Sequence, residues 1–222
     1  YTTGKVTATL EAATTIDDAT VTTLVAVNSS DIISLTSSVT TADATALVSL
    51  AGKVATVDGI AFASVKTITE TSATDVVSAL NIAGNDAAAT ITGAISAASA
   101  DAIADATSGV VTAAVTGDTA AALNLALVDS GAQVNAYTLS VSNNAGITNA
   151  TDLIGLDAKT SVAVNAASVT DVISGSSADV AAVYAANTAG TITGLGNEAV
   201  TITGTDATVA NLAAINTATT GV

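Results

Sequence analysis

Two hydrophobic rhythms alternate along the chain. In stretches such as Val134 through Val141, Tyr137 and Leu139 alternate with polar neighbours, and Gly109-Val110-Val111-Thr112-Ala113-Ala114-Val115 is similarly β-rich. This period of two is that of a half-buried strand. Between such runs lie Ala-rich stretches whose apolar residues recur at helical spacing, as in Val180, Val183 and Tyr184, or Val209, Leu212, Ala213 and Ile215. Each of these predicts a helix with one buried face.

An acidic residue opens each Ala-rich stretch, and Asp18, Asp43, Asp75, Asp101, Asp118, Asp152, Asp179 and Asp206 are read as equivalent. Their steps of 25, 32, 26, 17, 34, 27 and 27 residues average about 27, which defines eight imperfect repeats. A Ser or Thr often stands three residues earlier, as in Thr15 to Asp18, Thr40 to Asp43, Ser72 to Asp75 and Ser176 to Asp179. That is capping-box spacing with Asp in place of Glu, and the carboxylate meets the positive end of the helix dipole. Glycines at 52, 84, 109, 131, 190 and 221 are expected to end the helices in the left-handed C′ conformation, with Lys159 standing where the sixth repeat lacks one.

Longer repeats hold a second strand before the helix. The tetrad Thr191-Ile192-Thr193-Gly194 recurs as Thr201-Ile202-Thr203-Gly204 and stands also at Thr90-Ile91-Thr92-Gly93. Strands joined through helices are normally parallel with right-handed crossovers. The predicted fold is therefore α/β: a repetitive solenoid with parallel strands and one short helix per coil, residues 1–222 forming a single array, with an all-β solenoid as the alternative. Thr219-Thr220-Gly221-Val222 matches both Thr2-Thr3-Gly4-Lys5-Val6 and Thr107-Ser108-Gly109-Val110, so joining tail to head would continue the repeat. No polar cap is visible at either end, which leads to the expectation of a segment of a longer array, or one that stacks end to end on copies of itself.

Composition fits thin stacked layers better than a wide core. Hydrophobic residues make up 50% and mean hydropathy is +0.63, yet aromatics are only 2%. The chain should fold, but on Ala, Val, Ile and Leu. No apolar run approaches the roughly 18 residues of a membrane span, and no signal peptide opens the sequence. Charge excludes more: Lys+Arg is 4 against 19 Asp+Glu, a net charge of −15. Lys5, Lys53, Lys66 and Lys159 are too few and scattered to track a phosphate backbone, so nucleic acid is not expected as a partner.

The repeats resemble the long Thr/Ala/Val-rich arrays of giant secreted surface proteins in marine cyanobacteria. The likeness is strongest over residues 160 to 222, in the run Asp179-Val180-Ala181-Ala182-Val183-Tyr184-Ala185-Ala186-Asn187 and in Gly194-Leu195-Gly196-Asn197-Glu198-Ala199-Val200-Thr201. Residues 1 to 159 match as degenerate versions. The resemblance implies an extracellular, cell-surface location and large scale, and it brings no active site.

No catalytic, cofactor-binding or metal-binding residue is assigned. The chain has no Cys, His, Met, Trp or Pro, hence no imidazole base, thiolate or ordinary zinc, copper or haem ligand set. Asp17-Asp18 and Asn143-Asn144 offer hard oxygen ligands suited to calcium, but the EF-hand spacing is absent and helix capping and turn formation are the better account of them, which leaves calcium a minor alternative. Glu11, Glu70 and Glu198 add to the Asp series, but sugar-stacking aromatics are nearly absent, against a glycosidase. The expected function is passive: a structural or adhesive fibre, sheath or stalk, with partners limited to its own copies and surface glycans. Ice binding by Thr-x-Thr rows on a flat sheet is the alternative from another class, and a phage fibre would look similar.

Overall fold

The computed structural model describes residues 6–10, 17, 33–37, 41–51, 65–84, 86–128, 134–142 and 146–221. It is α/β with parallel sheets. The chain divides into two compact units: Tyr1–Gly93 with Ala102–Ala113 and Ser130–Gln133, and Ala94–Asp101 with Ala114–Asp129 and Val134–Val222.

The first unit opens with β1 (Val6–Leu10) and β2 (Ile33–Ser37), which pair in parallel. Then come β3 (Thr41–Asp43), α1 (Ala44–Ala51), β4 (Thr67–Glu70), α2 (Ala73–Ala83) and β5 (Ala88–Ile95). β4 pairs in parallel with β3 and with β5, and α1 packs on α2. α3 (Ala97–Asp105) and β6 (Val111–Val115) follow, and the boundary between the units passes through β5, α3 and β6. The second unit continues with α4 (Ala120–Ala126), β7 (Ala136–Thr138), β8 (Ile147–Asn149), α5 (Ala150–Lys159) and β9 (Val164–Asn165). It ends with β10 (Val172–Gly175), α6 (Ser177–Ala189), β11 (Ile192–Thr193), β12 (Ala199–Ile202) and α7 (Val209–Ala218). Two parallel sheets form here, β12-β10-β8 and β11-β9, and α4, α5, α6 and α7 pack in succession.

Residues paired across neighbouring parallel strands stand 21 to 28 positions apart in sequence. The mean step of the Asp series, about 27 residues, lies within that range. A parallel partner requires a crossover of a dozen or more residues, and one short helix supplies it.

The acidic marker is less regular than the helices. Asp75, Asp152 and Asp179 are each the third residue of a helix, and Asp179 forms the anticipated box: its N–H donates to Ser176 Oγ at 3.1 Å, while Ser176 Oγ lies 2.7 Å from Asp179 Oδ2. Asp75 N–H donates to Ser72 Oγ at 3.4 Å. Asp43 is itself a cap, accepting from Ala46 N–H at 3.0 Å. Three assignments are corrected. Asp101 lies inside α3, whose start is capped by Ser96; Asp118 precedes the cap Thr119; Asp206 precedes the cap Thr208. Helix starts are 23 to 32 residues apart, a tighter spread than the 17 to 34 of the Asp series. The hydroxyl cap, which directly satisfies a free N–H, marks the start better than the charge, which acts over a whole turn. Asp18, Thr15 and Thr40 lie outside the described residues.

Glycine plays two roles where one was expected. Gly84 (φ 96°) and Gly190 (φ 83°) are left-handed helix stops, as anticipated. Gly109 and Gly221 are not left-handed; a Cβ on Gly109 would meet the Ala87 carbonyl carbon and oxygen at 2.5 Å, and one on Gly221 would overlap Glu198 O. They permit close approach of two backbone runs one repeat apart. Positive φ that the sequence did not foresee falls at Gly93, Gly194 and Gly204 (φ 100°, 92° and 91°), the last residue of all three Thr-Ile-Thr-Gly tetrads, and at Gly146 and Gly196 (φ 157° and 144°). Gly52 and Gly131 lie outside the described residues.

The core of each unit is a sheet of small side chains. In the first unit Ala42, Leu47, Ile68, Val76, Leu80 and Ala89 are fully buried; in the second Leu123, Tyr137, Leu139, Leu153, Ile173 and Val183 nearly or fully so. The alternation expected over Val134–Val141 is present, with Tyr137, Leu139 and Val141 buried and Thr138 and Ser140 exposed. On α7 the expected buried face is corrected: Ile215 is buried, but Val209 is 84% and Leu212 42% exposed.

The two glycine roles separate experimentally. Gly109→Ala forces its methyl into backbone that cannot rotate away, at the upper end of overpacking penalties, about 3 kcal/mol. Gly84→Ala meets no atom within 4 Å and pays only left-handed strain, about 1 kcal/mol. Urea unfolding should show the larger midpoint loss for Gly109→Ala.

Candidate functional site

Among the described residues, polar side chains that bind backbone runs some 20 residues apart in sequence are a recurring feature. Just beyond α3, α5 and α7 stand Thr107, Thr160 and Thr219. Each hydroxyl donates to a backbone carbonyl 20 to 23 residues earlier: Ala87 O at 2.6 Å, Tyr137 O at 2.7 Å and Glu198 O at 2.7 Å. Each also accepts from the N–H two residues on, of Gly109 (2.9 Å), Val162 (3.1 Å) and Gly221 (3.1 Å). A Thr hydroxyl has one O–H to donate and two lone pairs to accept; the clasp uses the donor and one lone pair. The likeness of Thr107-Ser108-Gly109 to Thr219-Thr220-Gly221 in sequence is this clasp.

The carbonyls so gripped belong to Ala87, Tyr137 and Glu198, and all three residues are fully buried. Tyr137 reaches across to donate its hydroxyl to Ala100 O at 3.3 Å. Glu198 turns its carboxylate onto Gly196 N–H, 3.0 and 2.8 Å from its two oxygens, and accepts from the Tyr184 hydroxyl at 3.2 Å. Burial pushes the Tyr184 phenol up to about 12, reinforced by the neighbouring carboxylate and opposed by Thr219. Sequence reading counted Glu198 only among scattered acids; no periodicity signals a carboxylate whose partners are one backbone N–H and one phenol.

Other acids bridge segments distant in sequence, only Asp152 joining two helices. Asp152 accepts from Asn124 Nδ2 at 3.2 Å, Asp101 from Val128 N–H at 2.8 Å, Asp157 from Thr191 Oγ1 at 3.0 Å and Asp171 from Gly146 N–H at 2.9 Å. Glu70, at the end of β4, accepts from Thr71 N–H at 2.5 Å and from Thr45 Oγ1 at 2.8 Å; these bonds, the Thr71 N–H foremost, hold its carboxyl at about 2. Lys66 pairs with Asp86 at the surface.

A shallow cleft of about 270 Å³ lies in the second unit, with Ser96, Thr116 and Asp118 among methyl groups of Ala97, Ala98 and Ala122. Asp118 there accepts from Thr119 N–H at 2.7 Å. No second carboxylate faces it across the cleft, so the pair a glycosidase needs does not converge here. Among the described residues no group of three His, Cys, Asp or Glu is placed to hold a metal ion. Of the calcium candidates, Asp17 is exposed, and Asp18, Asn143 and Asn144 lie outside the described residues. No described helix is long and apolar enough to cross a membrane.

The first unit also carries an outward row of hydroxyls. Asp43 pairs with Thr69 and Thr69 with Thr90, while Thr41 pairs with Thr67 and Thr67 with Ala88. Between these rows Ala42, Ile68 and Ala89 point into the core. The row spacing follows sheet geometry, about 4.8 Å between strands.

Glu70 makes stability pH-dependent. Its folded value lies below the ordinary glutamate value of 4.5, so its contribution is complete above that value and is lost as pH falls through about 2. Glu70→Gln should flatten the fall in thermal midpoint between pH 4.5 and 2, and Thr45→Val should flatten it in part, as calorimetry at stepped pH would read. Compared with protein-family models, with curated proteins and with solved structures, the chain finds no match.

Proposed function

We propose that this chain is an array of α/β solenoid coils serving a passive structural or adhesive role outside the cell, as part of a fibre, sheath or stalk. The observation that carries the reading is the repeated clasp: three Thr residues, each at a helix end, grip the carbonyl of the preceding repeat with the same donor and acceptor pair. Polar chemistry is thereby spent on holding coil to coil. The acids described above act as helix caps or as acceptors tying together segments distant in sequence. A net charge of −15 favours solubility and discourages non-specific clumping. Affinity for surface glycans would be spread over a long repetitive face.

The array reading is tested by excising residues 147–171, so that β10 follows Gly146 and takes the place of β8. Solenoid stability is a sum of coil and neighbour terms, so the shortened chain should stay folded by circular dichroism with a lower midpoint. Loss of all cooperative unfolding would defeat it. The surface role is tested by antibody labelling of intact source cells, where labelling only after permeabilisation would sink it.

The Thr41–Thr67 and Asp43–Thr69–Thr90 rows favour a second reading, ice binding, in which ordered hydroxyls on a flat sheet match a crystalline surface. Under that reading the protein shows thermal hysteresis, abolished by Thr69→Lys with Thr90→Lys. Absence of hysteresis in the wild type discards it.

A further inference from the structure

We draw no further inference here: the strongest candidate, the shallow cleft of about 270 Å³ lined by the start of α3, by α4 and by Asp118, carries nothing, because its acid already accepts from Thr119 N–H and, among the described residues, no unpartnered buried polar side chain points into it to show what would fill it.

Discussion

Close approach of backbone runs one repeat apart is the constraint on which the rest of this structure depends. With little aromatic mass, the repeats bury Ala, Val, Ile and Leu, and such side chains fill space only if the layers lie near together. The parallel ladders set that distance along the strands. Beyond the helices the Thr clasp sets it again, and at Gly109 and Gly221 the backbones come so near that no Cβ fits. Where the second clasp, at Thr160, has Val162 in place of glycine, the grip falls on a carbonyl 23 residues back instead of 20 or 21.

Buried polarity follows from the same closeness. A carbonyl brought against another backbone run loses water, and leaving it unpaired would cost about 1–3 kcal/mol. Thr107, Thr160 and Thr219 answer that need with one hydroxyl each, and no buried side-chain N or O lacks a partner among the described residues. Glu198 is the extreme case, a fully buried carboxylate held by Gly196 and Tyr184. It anchors the loop that Thr219 grips, so its chemistry is structural.

The acidity of the chain has two components with different physical meaning. Some carboxylates are fixed by bonds that cross from one helix to the next, as at Asp152, or from a helix to the segment that follows another, as at Asp101, or tie a strand end to a helix, as at Glu70. The remainder give the surface a single sign.

Sequence alone determined the α/β class, the parallel direction and the helices over Val180–Ala186 and Val209–Ile215. These are local or periodic properties: capping, alternation and helical spacing are written in neighbouring residues. It did not determine which glycines bend the chain and which admit another backbone, because Gly109 and Gly84 look alike until the residue one repeat away is placed beside them. The burial of Glu198 was equally hidden, since its partners Tyr184 and Thr219 lie 14 and 21 positions away and their meeting depends on how α6 and α7 pack. The open side of α7 likewise emerged only in three dimensions: periodicity can say that Val209 and Leu212 seek cover, but which neighbour supplies it is decided by the stacking of whole segments.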